Sequence, residues 1–375
     1  MTTNISFTVD RQSLTRALVS LQKMSNGQKN STTHLLAHGD ALSLFLQTDT
    51  RTLLVDTSIT QLIGEGGFTT DIKKLTEFIQ TVHGKDITVS LTDSSMKVVC
   101  GTTRGTFPLT REEAVIPLRA TSGASVPFTV LGDALSLLLY SCSTETSRPT
   151  LSSLCILPLS EGGARLVATD GFRLSLVQIT SPIGITDKIL VPASFLRDAL
   201  SIFNESKNLQ IKTSEDSTTL IISQDGLQAT TRLMVGEYPP YEKVLVHAHE
   251  NRFVFKKSEI LDAVKTISIF ARDHSNIVVF SIDKSKVQLR PKKEAGAENS
   301  TDIVFTETAH KGEMNIAFNY RYLVDFLGSV DDELFTMRVN RADAPILFLP
   351  GDVEDDQKSE GFYYQHVIMP VRLQE

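Results

Sequence analysis

Apolar positions along the chain follow two rhythms. In the stretch Asp10 to Met24, Leu14, Ala17, Leu18 and Leu21 recur at three- and four-residue steps, which predicts an amphipathic helix. In ARLVATDGFRLSLVQI, residues 164–179, the rhythm is that of two β-segments meeting at Asp170-Gly171. Asp-Gly favours the positive backbone angles of a tight hairpin. On its second arm Phe172, Leu174 and Leu176 fall on one face, and Arg173 and Ser175 on the other, so one greasy and one partly polar face are expected.

The same patterns return at a constant distance. Adding 121 to Leu14, Ala17, Leu18 and Leu21 gives Leu135, Leu138, Leu139 and Cys142, again an apolar helical stripe. That shift also carries Thr48-Asp49 onto Thr169-Asp170, and Leu75, Phe78 and Ile79 onto Leu196, Ala199 and Leu200. A third, looser copy follows: Ile260, Val264 and Ile267 lie 246 beyond Leu14, Leu18 and Leu21, and Leu323, Phe326 and Leu327 lie 248 beyond the second-helix triplet. The drift is what insertions produce, and the polar stretch PKKEAGAENST at 291–301 is one. Three copies of one unit are therefore expected, over 1–124, 125–247 and 248–375, joined near Thr121 to Val126 and Val246 to Asn251. Within each, a strand, a helix, strands, a second helix and further strands imply an α+β unit, antiparallel sheets with two helices on one side. Open strand edges at the ends need partners, and pairing the first unit of one molecule with the last unit of another is a natural solution, whose head-to-tail contacts close into a ring where the angle permits.

Composition narrows the setting. With 375 residues, 41% hydrophobic and 22% charged, the chain suits two or three soluble domains. No apolar run has the roughly 20 residues of a membrane helix, and MTTNISFTVD lacks the parts of a signal peptide, so a cytoplasmic protein without membrane contact is expected. Cys100, Cys142 and Cys155 show no C-x-x-C spacing and read as free thiols. A net charge of −7 excludes a protein that grips nucleic acid over its whole surface. The six helical segments, however, carry 12 basic and 9 acidic residues, +3 against −10 for the remainder. Lys23, Lys73, Lys74, Arg197, Lys207, Lys257, Lys265 and Arg272 are the ones expected to face a polyanion, holding it by enclosure more than by tight phosphate contacts.

Three further stretches identify a family. The hairpin Ala168-Thr169-Asp170-Gly171-Phe172-Arg173-Leu174, the segment Gly236-Glu237-Tyr238-Pro239-Pro240-Tyr241 and the C-terminal Val367-Ile368-Met369-Pro370-Val371-Arg372-Leu373, in that order on a threefold repeat, resemble the bacterial DNA polymerase III beta subunits, the sliding clamps, over essentially the full chain. The resemblance implies a non-enzymatic processivity factor. It would be a head-to-tail dimer closing a ring of six similar domains around duplex DNA, helices lining the hole and sheets outside, with no cofactor and no metal. It also implies a hydrophobic pocket into which the replicative polymerase, the clamp loader and repair proteins insert short peptides. Carried over, that pocket comprises Leu151, Thr169, Gly171, Phe172, Arg173, Leu174, Pro239, Lys243, Val244, Ile346, Val367, Ile368, Met369, Pro370, Val371, Arg372 and Leu373. Aliphatic walls and a soft Met suit Leu or Phe anchors, and Arg173 and Arg372 are expected to orient the peptide. The subunit contact carries over as Phe107 and Leu109 against Ile269 and Phe270. The chain departs from the family pattern at Phe172, where His is common, at Lys243, where Arg is frequent, and in the extension Gln374-Glu375.

An alternative of another class is a metal-assisted hydrolase using acidic and histidine clusters. His247-Ala248-His249 has a metal-like alternation but no Cys nearby, and reads as a polar linker. Gly64-Glu65-Gly66-Gly67 lacks the Lys-Ser/Thr of a phosphate loop and reads as a flexible strand-to-helix connection. The acidic run Asp352 to Asp356 reads as a solvated loop, and Asp170 has no acid, base or metal partner.

Overall fold

In the computed structural model the residues described are 5–25, 32–92, 94–110, 117, 119, 123–145, 147–160, 162–245, 249–272, 275–292, 299–353 and 362–373. Six α-helices form where the apolar stripes predict them: α1 (Arg11–Met24), α2 (Ile72–Thr81), α3 (Phe128–Ser136), α4 (Ala193–Leu200), α5 (Lys257–Ala271) and α6 (Tyr320–Ser329). The starts of α1, α2 and α6 are set by side chains that accept the first free backbone N–H groups. Asp10 accepts from Ser13, Asp71 from Lys73 and Lys74, and Asn319 from Arg321. The stripes turn inward: Leu14, Ala17, Leu18 and Leu21 of α1, and Ile260, Val264 and Ile267 of α5, are all buried.

The second copy departs from the expected helix. Its α-helix ends at Ser136 and the chain continues into a 3-10 turn, Leu139–Ser141. Leu135, Leu138, Leu139 and Cys142 are nevertheless all buried, so the stripe marked burial correctly and helix length wrongly. Gly64 to Gly67 differs as well. It turns the strand Arg51–Ile63 into the strand Gly66–Asp71, which pairs with Thr32–His38, so it joins strand to strand.

Strand pairing repeats three times, antiparallel throughout. In the first copy Ile5–Asp10, Asp86–Leu91, Ser95–Cys100 and Thr103–Pro108 pair in that order, as do Gly66–Asp71, Thr32–His38, Ala41–Gln47 and Arg51–Ile63. The second copy gives Ala124–Pro127, Asn208–Thr213, Thr219–Gln224 and Leu227–Arg232, and separately Ile189–Pro192, Ser153–Pro158, Ala164–Thr169 and Arg173–Ile179. In the third copy the orders are Asn251–Lys256, Leu334–Val339, Ile346–Pro350, Phe362–Ile368, and Met314–Asn319, Ile277–Ile282, Lys286–Pro291, Thr301–Val304.

Copies are joined by one rule. The last strand of the second copy, Leu227–Arg232, adds to the fourth of the first, Arg51–Ile63, with Thr231 opposite Arg51. The last strand of the third, Phe362–Ile368, adds to the fourth of the second, Arg173–Ile179, with Ile368 opposite Arg173. Among the described residues, Thr103–Pro108 and Thr301–Val304 have no strand on their outer side. These joints decide how the chain divides into compact units. One unit holds residues 1–129, 183–185 and 194–233, with α1 packed on α2. The other holds 130–182, 186–193 and 234–375, with α5 packed on α6. The second copy is shared between them, because each of its sheets continues one belonging to a neighbouring copy.

Candidate functional site

An apolar hollow is built on the hairpin at Asp170. Asp170 Oδ1 accepts from the backbone N–H of Phe172 and of Arg173, at 2.9 and 3.0 Å. Thr169 donates to the Arg173 carbonyl at 2.6 Å and accepts from the Gly171 N–H at 3.0 Å. Gly171 alone takes a positive φ, +94°, and Thr169 pairs with Leu174, so the connection is a four-residue loop pinned by side chains rather than a two-residue tight turn. The expected face pattern changes with it. Phe172 is 61% exposed at the tip, while Leu174 and Leu176 join a core cluster with Tyr238, Tyr241, Leu347 and Val367. Ser175, on the opposite face, is fully buried.

Over that cluster lies a cavity of about 270 Å³, lined by Arg148, Leu151, Thr169, Gly171, Arg173, Leu174, Pro239, Pro240, Tyr241, Val244, Val367 and Met369. Its walls are the hairpin, the segment leading into the 3-10 turn Tyr241–Val244, and the end of the last strand, fastened by the Met369 N–H on the Phe172 carbonyl at 2.8 Å. Nine of the residues predicted for the pocket therefore come together: Leu151, Thr169, Gly171, Arg173, Leu174, Pro239, Val244, Val367 and Met369. Ile346 and Ile368 do not line it. They are fully buried and face each other across two strands. Beyond Met369 the chain leaves: the Val371 N–H donates to the Ala317 carbonyl at 2.6 Å, and Val371 and Leu373 pack on Ile277, Val279 and Ala317. Lys243 and Arg372 are exposed outside the lining, as is Phe172, and Pro370 is half-buried there. Gln374 and Glu375 lie outside the described residues. Sequence reading missed Arg148, Pro240 and Tyr241. The last two close the quoted segment Gly236 to Tyr241, whereas nothing in the pattern pointed to Arg148.

Arg173 is already occupied. Its Nε donates to Asp170 Oδ2 at 3.0 Å, one terminal nitrogen to Asp325 Oδ2 and the other to the Tyr140 carbonyl, both at 2.5 Å. Its guanidinium lies over the Tyr322 ring at 4.7 Å and the Tyr140 ring at 5.2 Å. Behind the hairpin sits a buried polar cluster. Ser175 Oγ and His366 Nδ1 are 2.8 Å apart, Tyr140 and Tyr364 hydroxyls 2.6 Å, and Ser141 and Ser175 hydroxyls 2.8 Å. Burial, and then the Arg173 charge, hold the His366 imidazole well below its usual range, so it is neutral. Burial likewise raises Tyr140 and Tyr364, and pushes the Cys155 thiol up to about 11. Cys100, Cys142 and Cys155 are buried thiols outside any disulfide.

A larger hollow of about 600 Å³ in the same unit is lined by Asp133, Asp331 and Asp332 beside Leu137 and Tyr363. Three carboxylates make it the poorer receptor for apolar side chains.

The basic helix residues are placed unequally. Lys23, Lys73, Lys74, Arg197, Lys207, Lys265 and Arg272 are exposed. Lys23 donates to the Ser201 carbonyl at 2.8 Å and Lys265 pairs with Asp262. Lys207, by contrast, is not on a helix: α4 ends at Leu200, and Lys207, in the turn before the strand Asn208–Thr213, pairs with Asp225. Lys257 is half-buried with its ammonium on the Val330 carbonyl at the end of α6. Ile269 and Phe270 on α5 are 55% and 42% exposed, whereas Phe107 and Leu109 are each 8% exposed and Phe107 meets the Phe78 ring edge-on at 5.4 Å. Of the enzymatic candidates, Asp352 is ion-paired with Arg252, Asp170 is spent on the hairpin, and Glu65 caps the Gly39 N–H. His247, Ala248 and residues 354–356 lie outside the described residues. No group of three His, Cys, Asp or Glu side chains that could hold a metal occurs among the described residues, and no helix there is long and apolar enough to cross a membrane.

A thrice-repeated α+β unit, edge-joined by a fixed rule and carrying an apolar cavity of about 270 Å³ at one joint, defines a multi-domain scaffold. Family models for the central and C-terminal domains of the DNA polymerase III beta subunit match residues 126–240 and 242–372. The chain is a member of that family, the beta sliding clamps. It is 24% identical to a beta sliding clamp of Caulobacter vibrioides over 98% of this chain and 100% of that one. The DNA polymerase III beta chain of Streptococcus pneumoniae shares its fold with a TM-score of 0.88, at 17% identity, over 98% of this chain and all of that one. The sliding clamp of Pseudomonas aeruginosa bound to griselimycin superposes with a TM-score of 0.87, at 18% identity, over 99% and 100%.

Proposed function

We propose that two copies of this chain, each of three domains over 1–124, 125–247 and 248–375, close head to tail around duplex DNA and hold the replicative polymerase on its template without catalysing a reaction. The observation that carries this reading is the joint. The same last-strand-to-fourth-strand addition is made twice within the chain and leaves one half of it at each end, on Thr103–Pro108 and Thr301–Val304. A second copy supplies both missing halves, and head-to-tail contacts that close in this way give a ring. Exposed Ile269 and Phe270 support a contact on the third domain. The basic residues exposed on the helices would face the DNA, which is retained by topology, since the net charge of −7 suits weak phosphate contact.

The cavity would receive short peptides of the polymerase, of an ATP-driven clamp loader and of repair proteins in the cytoplasm. Burying two Leu or Phe anchors stabilises such a complex by about 3 to 6 kcal/mol. Millimolar to tens-of-micromolar affinity follows, which lets several partners exchange. Tethering then keeps the polymerase at high local concentration along the duplex. The griselimycin complex of the Pseudomonas clamp recommends that compound as a small molecule to try on this chain.

The test is retention on nicked circular DNA after loading with the cognate loader and ATP. Salt-resistant retention that disappears when the circle is linearised is expected. Salt-sensitive binding indifferent to DNA ends would sink the reading.

A further inference from the structure

Arg173 lines the peptide cavity, yet its side chain is 11% exposed and three of its donors are committed inside the protein, to Asp170, Asp325 and the Tyr140 carbonyl. Asp325 and Tyr322 belong to α6, in the third copy, while Arg173 opens the fourth strand of the second. The same arrangement occurs at the other joint. Arg51 opens the fourth strand of the first copy, and its guanidinium meets Asp198 at 2.8 Å, the Ser194 hydroxyl, and the Phe195 ring at 6.0 Å, all on α4 of the second copy. Phe195 and Asp198 precede Tyr322 and Asp325 by the same interval, 127 residues. Arg51 is as covered as Arg173, at 10% exposure.

A residue whose partners are copied at a second joint belongs to the joint. On this ground, and resting on the peptide-pocket reading above, we propose that Arg173 is a positioning residue: with Asp325 and Tyr322 it ties the cavity's hairpin wall to α6, and it does not read the bound peptide. The hairpin supplies Thr169, Gly171, Arg173 and Leu174 to the wall. Asp325 is absent from the lining, so its effect on binding must travel through Arg173. Removing its carboxylate leaves the guanidinium short of one charge-assisted hydrogen bond and frees the hairpin to move.

Two readouts test this on the full chain. One is anisotropy with a fluorescein-labelled synthetic peptide that carries a Leu-Phe pair and a single Asp, alongside an amidated version with Asn for Asp. The other is hydrogen exchange at the Phe172 and Arg173 amides without peptide. Asp325→Ala should weaken both peptides alike, by about tenfold, and speed exchange at the two amides. Asp325→Asn, which keeps the side chain's shape, should do the same in smaller measure. Asp198→Ala, at the other joint, should alter neither readout. The proposal falls if Asp325→Ala leaves affinity and exchange unchanged. It falls equally if Arg173→Lys weakens the acidic peptide and spares the neutral one, because Arg173 would then be reading the ligand's charge. Should the unmodified protein bind neither peptide, the pocket reading fails, and the exchange data alone decide whether the tie holds the hairpin.

Discussion

His366 is fully buried with its ring stacked on Phe326 at 5.5 Å, and its Nε2 has no hydrogen-bond partner among the described residues. Burial removes the water that would solvate an imidazolium, the Arg173 charge repels it, and the Ser175 and Tyr140 hydroxyls at its Nδ1 are neutral. Its pKa is therefore lower folded than unfolded. As pH falls below about 6.5 the unfolded chain takes up a proton that the folded one refuses, and stability drops by about 1.4 kcal/mol per pH unit for that site until the lowered value is reached. Urea unfolding from pH 7.5 to 5.0 checks it. His366→Gln should be less stable at pH 7.5 but lose less on acidification, and equal slopes in the two proteins would refute the assignment. Nothing in the sequence marked this cluster. Alternation placed Ser175 on a partly polar face, and only the pairing of Arg173–Ile179 with Phe362–Ile368, nearly two hundred residues away, buries it against His366. Arg173 shows the same limit. Its presence in the pocket was legible from the family motif, but its commitment to Asp325 depends on α6 of another copy.

At the scale of elements, periodicity located the six α-helices of the described residues and constant spacing exposed the repeat, because buried stripes are local in sequence. Helix ends were legible where a cap is encoded. Asp10 sits before Arg11 and accepts from Ser13 at 2.8 Å, which lowers its carboxyl below the ordinary range. Asp10→Ala should cost about 1 kcal/mol, seen as a lower urea midpoint with unchanged slope. The cap contribution is present above the usual carboxylate pKa and is lost as pH falls through the lowered one. α3 stops at Ser136, and its stripe continues through a 3-10 turn that buries the same residues, so the apolar pattern overstated the helix. The hairpin misled in a related way. Asp-Gly suggests a two-residue turn, but the Asp170 carboxylate spans Phe172 and Arg173 and fixes a longer loop that pushes Phe172 outward.

At the scale of the whole molecule the question is what completes the joining rule at Thr103–Pro108 and Thr301–Val304, which have no strand on their outer side among the described residues. Within the chain each joint adds a last strand to a fourth strand, and both additions run through five or more residues of register. Thr103–Pro108 and Thr301–Val304 are the last and fourth strands left over. Alternation and repeat length made the copies legible, whereas the joining rule needs long-range pairing that no local window contains. Ile269 and Phe270, exposed on α5 of the third copy, are the apolar groups a second molecule would cover, and an uncovered pair of that size is costly in water. Placing carboxylates there, with Ile269→Asp and Phe270→Asp together, should dissociate a head-to-tail dimer into monomers in sedimentation equilibrium at micromolar concentration. Both residues are already solvent-facing in the single chain, so the monomer should keep its unfolding midpoint and its affinity for the Leu-Phe peptide. Retention on circular DNA should disappear. A variant that remains dimeric would place the contact elsewhere, and one that is monomeric yet retained on the circle would separate DNA holding from ring closure.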